Sequence, residues 1–358
     1  MKSAVLWETN GQMDVRDDVS LVDLAPGNVH IKLASSGVCH SDLSVVNGTM
    51  PMPPPVVLGH EGAGVVLEVG DGVTELQAGD HAIISFTPQC RKCKPCLRGQ
   101  GYLCDGMMAM SAQANFVIDG KQIPGMTGCG TFSEEMIVPA DAVIKVENDI
   151  PLGIVSLVGC GVTTGACAAL NTAGVTAGSS VVVFGAGGVG ISAIQGARIA
   201  GASTILAVDQ FESKLEIAKK FGATHGATPD QFQDALTEIT GGEGFDFALE
   251  CIGNPVTIRS TYDAARRGGV ACIVGVGRMD QMIQFSAFEF FFADKTLRGS
   301  MYGSANVRTF MPKLLRLWKT GKLDLEGMIT RRIQLEDIND AFRAMQAGEV
   351  IRSVIDFK

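Results

Sequence analysis

A glycine-rich turn constrains the fold of this chain more than any other feature of its sequence. The turn lies between an apolar run at 180–184 and a segment rich in small residues at 189–200. Its glycines are Gly185, Gly187, Gly188 and Gly190. In a strand–turn–helix unit the first glycine permits a tight turn, the second lets the backbone approach a pyrophosphate, and the last lets helix and strand pack. The helix N-terminus adds free amides and partial positive charge. The pattern therefore predicts a dinucleotide-binding unit with a parallel sheet.

An acidic residue at the end of the next apolar run indicates which dinucleotide is bound. Asp209 follows the run at 204–208 and precedes Gln210 rather than an arginine. A carboxylate at this position accepts hydrogen bonds from the adenine ribose hydroxyls and repels a 2′-phosphate. The sequence therefore predicts NAD rather than NADP as the cofactor. Lys214, about one helical turn further on, is a second candidate contact to the same ribose.

Two patterns of sequence predict two domains. Residues 1–161 alternate short β-rich runs with glycine and proline, whereas apolar runs and helix-like segments alternate from 162 onward. The fold class is therefore α/β, with a doubly wound parallel sheet at 162–301 inserted into a β-rich domain. That domain is split between 1–161 and 302–358, because the tail is too short for a core of its own. Helices are predicted at 163–173, 189–200, 213–221, 255–265, 309–320 and 335–347, and strands at 180–184, 204–208, 245–251, 269–276 and 352–357.

Four of the ten cysteines are crowded into one short segment. They are Cys90, Cys93, Cys96 and Cys104, separated by two, two and seven residues. This spacing lets one segment wrap a tetrahedral zinc ion with four thiolates, which leaves no position for a substrate. The segment is therefore predicted to hold a structural zinc whose binding energy stabilises the fold. Neighbouring basic residues make a nucleic-acid zinc module the alternative, which the acidic chain and the lack of interleaved aromatic residues disfavour.

A second metal site is a hypothesis built from distant residues. Its candidates are Cys39, His60 with the adjacent Glu61, and Cys160, each in a glycine-bearing motif. Two thiolates and one imidazole leave the fourth position of a zinc ion open, so that the ion can polarise a substrate oxygen. The alternative is that these residues only pack in a core, and their spacing does not decide between the two.

Composition excludes several other classes of protein. The 358 residues are 46% apolar and carry a net charge of −9, which excludes a disordered chain and gives no general attraction to nucleic acid or anionic lipid. No run of about 18 apolar residues predicts a membrane span, and the N-terminus has no signal-peptide pattern. We therefore expect a cytoplasmic protein without nucleic-acid or membrane partners.

Together, the motifs resemble those of the zinc-dependent alcohol dehydrogenases of the medium-chain dehydrogenase superfamily. Gly-His-Glu-Gly-Ala-Gly at 59–64, the four cysteines, Gly-Cys-Gly-Val-Thr-Thr-Gly at 159–165, the glycine turn and Ile-Arg-Ser at 351–353 follow the family's order. The resemblance covers essentially the whole chain. It implies a split GroES-like catalytic domain around a Rossmann NAD-binding domain, with the active site in the cleft between them.

The resemblance also implies roles for individual residues. It implies two zinc ions per chain, with the catalytic ion on Cys39, His60 and Cys160, Glu61 beside it, and the structural ion on the four clustered cysteines. Ser41 resembles the hydroxyl that accepts the alcohol proton. The implied cofactor contacts are His40 at a phosphate, Thr164 and Val189 at the nicotinamide, Val274 and Tyr302 at its amide, and Arg352 at the pyrophosphate. The implied substrate channel is lined by Phe86, Val276 and Met301.

One position departs from many relatives. Ser44 stands where they carry a histidine that passes the proton to solvent, and the five histidines of the chain offer no obvious replacement. The proton path is therefore expected to end at the cofactor ribose and water.

The function that the resemblance implies is reversible, NAD-linked oxidation of primary aliphatic or aromatic alcohols to aldehydes. Segment 106–128 resembles that of dimeric relatives, so a homodimer is expected, with a homotetramer as the alternative. The alternative activities are a thiol-adduct formaldehyde dehydrogenase and a nicotinoprotein whose NAD stays bound. A non-enzymatic structural or sensing protein on this scaffold is disfavoured because all of the candidate catalytic residues are present.

Overall fold

The computed structural model describes all 358 residues, which divide into two compact units. The first comprises residues 1–161, 306–318 and 325–358, and the second comprises residues 162–305 and 319–324. The sequence placed the later boundary at 301/302, a few residues before the division between Ala305 and Asn306.

The elements are numbered in chain order. The strands are β1 (Ser3–Leu6), β2 (Met13–Arg16), β3 (Ser20–Leu21), β4 (Asn28–Val38), β5 (Val56–Val57), β6 (Glu61–Val69), β7 (His81–Ile84), β8 (Phe116–Ile118), β9 (Lys121–Ile123), β10 (Glu135–Pro139), β11 (Val143–Val146), β12 (Ser180–Phe184), β13 (Thr204–Val208), β14 (His225–Ala227), β15 (Phe245–Glu250), β16 (Ala265–Ile273), β17 (Thr296–Gly299), β18 (Ile329–Ile333) and β19 (Arg352–Asp356). The helices are α1 (His40–Val46), α2 (Lys94–Leu97), α3 (Gly106–Ser111), α4 (Leu152–Val155), α5 (Gly161–Cys167), α6 (Gly188–Ala200), α7 (Glu212–Phe221), α8 (Phe232–Thr240), α9 (Pro255–Ala264), α10 (Ala287–Ala293), α11 (Val307–Lys319) and α12 (Ile338–Gln346).

The first unit is built around a seven-stranded sheet in which β4 is central. The strand order is β11-β7-β6-β4-β19-β18, and β10 also pairs with β4. Antiparallel register sets Gly37 of β4 opposite Glu61 of β6, and Val38 opposite Ser353 of β19. The end of β4 and the starts of β6 and β19 therefore lie side by side.

The second unit is built around a six-stranded parallel sheet with the order β14-β13-β12-β15-β16-β17. Residues 181–183 of β12 are fully buried, as expected for a parallel strand covered on both faces. The chain runs outward from β12 through β13 to β14 and then restarts at β15 on the other side of β12. Such a switch point, at the carboxyl ends of the strands, is where doubly wound sheets bind ligands.

Two strands of this sheet were not predicted. β14 has only three residues, and β17 is an edge strand with mostly exposed side chains. Neither carries a run of buried residues long enough to give a periodic signal. His225 is exposed and begins β14. The predicted strands at 180–184 and 204–208 coincide with β12 and β13, whereas that at 269–276 runs from Ala265 to Ile273.

The segment before β12 is less regular than the helix predicted at 163–173. α4 leads through a 3-10 turn, Ser156–Gly159, to α5, which continues into a π-helical turn, Ala168–Ala173. No single helix of the chain is long and apolar enough to cross a membrane, although the bent pair Leu152–Gly159 and Gly161–Ala173 passes that test on length and composition alone.

Candidate active site

Cys39, His60, Glu61 and Cys160 form one buried cluster in the first unit. One ligand atom from each lies within 4.8 Å of the others. Cys39 follows β4, His60 directly precedes β6, and Cys160 lies between a 3-10 turn and α5. Two thiols and an imidazole are ligands that zinc prefers. The fold thus brings together four residues that the sequence could name only as separate candidates.

Asp42 holds the imidazole of His60 in a fixed orientation. Its Oδ1 accepts a hydrogen bond from Nδ1 of His60 at 2.9 Å, and both side chains are buried. Asp42 is itself held by the backbone amides of Cys39, at 2.9 Å, and Gly59, at 3.2 Å. Nε2 of His60 is left buried without a hydrogen-bond partner. An orphaned ring nitrogen beside two thiols fits a metal ligand whose tautomer is set by a carboxylate.

Both oxygens of Glu61 are engaged by the protein. Oε2 pairs with the guanidinium of Arg352, which is 4% exposed, and Oε1 accepts the backbone N–H of Gly161 at 2.9 Å. The pair reaches across β4 at Gly37, where a Cβ would lie 2.1 Å from Oε2 of Glu61 and 2.9 Å from Nη2 of Arg352. A side chain at Gly37 would therefore displace the ion pair. Arg352, expected at the cofactor pyrophosphate, is a partner of Glu61 within this unit.

Burial and mutual interaction shift the titration of the cluster. Hydrogen bonding to Cys160 holds the pKa of Cys39 well below its ordinary value, and His60 acts in the same direction. Burial acts to lower the pKa of His60, but Asp42 and Cys39 raise it well above the ordinary value. Burial raises the pKa of Glu61 to about 8, against the opposing effect of Arg352. A lowered thiol pKa favours the thiolate form of Cys39, which is the form that binds a metal.

The four clustered cysteines also converge. Their Sγ atoms lie within 4.8 Å of one another, and only Cys104 is buried. The backbone amides of Cys90 and Gly106 donate to Sγ of Cys104 at 3.3 and 3.4 Å. The backbone amide of Cys96 is the main cause that lowers the pKa of Cys93 to about 7. Burial acts in the opposite direction on Cys96 and Cys104, whose pKa values are raised. Four converging thiols fit a closed tetrahedral metal site.

The glycine turn connects β12 to α6. Gly185 has φ +94°, and a Cβ at Gly190 would lie 1.7 Å from the carbonyl oxygen of Gly185, whereas nothing lies within 4 Å of a Cβ at Gly187. Side chains are thus excluded inside the turn, and its outer face is open. Asp209 directly follows β13 and accepts the backbone N–H of Ala186 at 2.8 Å, so this carboxylate also fixes the turn.

The other predicted residues are distributed over both units. In the first unit, His40 is exposed and Ser41 half-buried at the start of α1, and Phe86 is buried with its ring 5.9 Å from that of His60. In the second unit, the structure places Thr164 in α5, Gly188 and Val189 at the start of α6, Lys214 in α7 against the Phe211 ring, Val274 and Val276 after β16, and Met301 and Tyr302 after β17.

Sequence reasoning missed three residues that shape the cluster: Asp42, Gly37 and Gly161. Asp42 carried half of a usable signal, because an acidic residue at the third helical position belongs to a capping box, although the N-cap here is Cys39 rather than serine or threonine. Gly37 and Gly161 carried no such signal in the sequence, since their importance depends on which side chains pack against them in the fold.

Comparisons with known proteins agree with this geometry. Residues 25–148 match the family model of the alcohol dehydrogenase GroES-like domain, and residues 188–319 match that of the zinc-binding dehydrogenases. The chain is 37% identical to S-(hydroxymethyl)glutathione dehydrogenase of Paracoccus denitrificans over 372 residues, 99% of each chain. The chain belongs to the zinc-dependent alcohol dehydrogenases.

Other members of the family are similar over their whole length. Alcohol dehydrogenase class-3 of Caenorhabditis elegans is 38% identical, with 100% of this chain and 97% of the relative covered. The crystal structure of benzyl alcohol dehydrogenase from Acinetobacter calcoaceticus superposes with a TM-score of 0.93 at 32% identity, covering 100% of this chain and 99% of that one. This zinc alcohol dehydrogenase is therefore an NAD-dependent oxidoreductase with zinc and NAD as cofactors, built from a GroES-like and a Rossmann-type part.

Proposed function

We propose that this enzyme catalyses the reversible, NAD-linked oxidation of primary aliphatic or aromatic alcohols to aldehydes. The observation that carries the proposal is the buried donor cluster with Phe86 beside it. The Phe86 ring meets the His60 imidazole edge-on at 5.9 Å, so an apolar wall adjoins the candidate metal ligands. An apolar surface next to one polar group suits an alcohol with an aliphatic or aromatic body better than a polyol.

Cys39, His60 and Cys160 would hold the catalytic zinc. Glu61 would lie beside the metal rather than bind it, because Arg352 and Gly161 already occupy its oxygens. Three protein ligands leave one position for substrate. When bound, zinc acts as a Lewis acid that stabilises negative charge on an alcohol oxygen. Cys90, Cys93, Cys96 and Cys104 would hold the structural zinc.

The remaining chemistry is assigned to the chain's own groups and to NAD. Ser41, two residues after Cys39 in the first turn of α1, would accept the alcohol proton through its hydroxyl. Ser44 lies on the same helix and is buried, so the proton path is proposed to end at the cofactor ribose and water. NAD, when bound, supplies the hydride acceptor; the glycine turn would hold its pyrophosphate and Asp209 its adenine ribose.

Replacement of Ser41 tests the proton path. Ser41→Ala should lower the hydride-transfer rate about a hundredfold, as losses of a general base do. Ser44→Ala is the matched control on the same helix and should retain the wild-type rate within about twofold. Single-turnover NADH formation measures both, and near-full activity of Ser41→Ala would refute the assigned role.

A thiol-adduct formaldehyde dehydrogenase is the second candidate, favoured by the name of the Paracoccus denitrificans relative. A panel of short, long and benzylic alcohols, with formaldehyde in the presence and absence of glutathione, separates the two activities. Our proposal expects the highest kcat/KM for an apolar primary alcohol. A higher kcat/KM for formaldehyde with glutathione would replace it with the second candidate.

A homodimer in the cytoplasm is the proposed state of the enzyme, with a homotetramer as the alternative. The second unit supports self-association, because α10 exposes Phe288, Phe291 and Phe292 close in sequence to the edge strand β17. Exposed apolar clusters of this kind are typical of interfaces. Analytical ultracentrifugation of the wild type and of Phe291→Asp tests the assignment, and a monomeric wild type would refute it.

A further inference from the structure

Glu250 is a buried carboxylate in the parallel sheet of the second unit, the sheet that carries the glycine turn. It lies at the edge where the carboxyl ends of the strands meet. It ends β15, pairs in register with Phe184 of β12 and Ile273 of β16, and is 0% exposed. An ionised carboxylate is costly to bury unless donors surround it. Its position, at the carboxyl end of β15 beside β12, raises the question of what these donors are.

The side chain of Glu250 holds the loop that follows it, residues 251–253, which we name the first edge loop. Oε1 accepts the backbone amides of Ile252 at 3.0 Å and Gly253 at 2.8 Å, and the hydroxyl of Thr257 at 2.7 Å. Oε2 accepts the Gly253 amide at 3.0 Å. Burial raises the pKa of Glu250, while these donors act in the opposite direction.

The main chain of the same residue holds a second loop. The carbonyl oxygen of Glu250 accepts the amides of Val274, at 2.8 Å, and Gly275, at 3.0 Å. We name residues 274–276 the second edge loop. One residue therefore anchors both loops, the first by its carboxylate and the second by its carbonyl group.

The two edge loops touch backbone to backbone. Gly253 has φ +89°, and a Cβ there would lie 2.3 Å from the carbonyl oxygen of Val276, while a Cβ at Gly275 would lie 2.1 Å from the amide of Gly253. The first edge loop also lies against the glycine turn, since a Cβ at Gly185 would meet Cγ1 of Ile252 at 2.7 Å. A shift of the first edge loop therefore displaces both of its neighbours.

We propose that Glu250 is a positioning residue for NAD: it fixes both edge loops against the glycine turn and thereby sets the affinity for the dinucleotide without contacting it. This inference rests on the proposed NAD site at this edge. The reason is preorganisation, because loops already held in the binding arrangement lose less conformational freedom when the cofactor binds.

Glu250→Gln tests this role, because it preserves the shape of the side chain but turns one acceptor oxygen into a donor group that faces backbone amides. We expect the Kd for NADH to rise about tenfold, as for the loss of a charged hydrogen bond. The KM for alcohol at saturating NAD should change by less than about twofold, since the proposed zinc ligands and Phe86 are in the other unit. Fluorescence titration with NADH and steady-state kinetics provide these values.

Asp246→Asn is the matched control, at the amino end of the same strand. Asp246 accepts hydrogen bonds from Ser180, at 2.8 and 3.0 Å, and Arg266, at 2.7 Å. Both variants should lower Tm by a similar amount, but Asp246→Asn should leave the Kd for NADH within about twofold of the wild type. An unchanged Kd in Glu250→Gln, or an equal rise in Asp246→Asn, would overturn the proposal.

Thr257 provides a second test if Glu250→Gln does not fold. Thr257→Val removes one donor to the carboxylate and should raise the Kd for NADH about threefold, whereas Thr257→Ser keeps the hydroxyl and should restore the wild-type value. Equal Kd values for these two variants would overturn the proposal. A wild-type chain that binds no NADH would instead overturn the proposed NAD site.

Discussion

The two cysteine-based clusters of the first unit are assembled in opposite ways. The four-cysteine cluster comes from one short segment, has identical ligands and is mostly half-exposed. The cluster of Cys39, His60 and Cys160 comes from three distant segments, is fully buried and has mixed ligands. A local segment can saturate a metal without the rest of the fold, whereas an open site needs ligands held by other elements. The comparison therefore predicts that the first site supports stability and the second supports catalysis.

The largest expected effect is loss of activity at the buried cluster. His60→Ala removes the ligand whose Nε2 is orphaned, so catalytic zinc should be lost and kcat should fall by about 10³-fold or more, equivalent to several kcal/mol. Zinc content should fall from two ions per chain to one, with a folded four-cysteine segment. Retention of both zinc ions by this variant would contradict the proposed ligand set.

A large loss of stability is expected instead at the four-cysteine cluster. Cys104→Ser removes its buried ligand and should destabilise the chain by about 4 kcal/mol, as loss of a structural metal does. Urea unfolding and zinc analysis measure the effect. Cys272→Ser, at a buried cysteine outside both clusters, is the control and should retain both zinc ions. An equal loss of stability in the control would remove the distinction between the clusters.

A smaller effect is expected at the carboxylate behind His60. Asp42→Asn leaves a neutral partner for the imidazole and should lower zinc affinity or kcat by about 10- to 100-fold, as changes behind a metal ligand do. Chelator competition and steady-state kinetics test this. Asp80→Asn changes another buried carboxylate of the first unit, paired with Lys145, and should leave both values unchanged; a parallel decrease would indicate a general loss of packing.

The smallest effect concerns the pH dependence of the zinc-free chain. The pKa of Glu61 is raised from 4.5 to about 8 by burial, so the folded state keeps a proton that the unfolded state loses. Its contribution to stability is therefore complete below pH 4.5 and is lost as the pH rises through about 8. Urea unfolding at several pH values should show this decline in the wild type and a flatter profile in Glu61→Gln. Identical profiles would show that the pKa of Glu61 is not raised in the folded state.

The same contrast explains how much of the site was predictable. The four cysteines and the glycine turn could be interpreted from the sequence because their function depends on spacing within one segment or one strand–turn–helix unit. Cys39, His60 and Cys160 could be named from the sequence as candidates for one site, but their spacing did not decide whether they meet, and only the family resemblance implied that they do. Asp42 had a local signal as a capping residue, whereas Gly37 had none, because the ion pair above it joins residues 61 and 352.

The sequence by itself determined the fold class, the parallel sheet with its glycine turn and the closely spaced thiols, since each depends on periodicity or spacing over a few residues. Only the tertiary structure decided which distant groups meet. Antiparallel register sets the end of β4 beside the starts of β6 and β19, and it thereby buries Cys39, Glu61 and Arg352 together. Likewise, only the packing of two loops against one strand end reveals Glu250 as their shared anchor. Such contacts depend on strand register and loop packing, which no local pattern in the chain encodes.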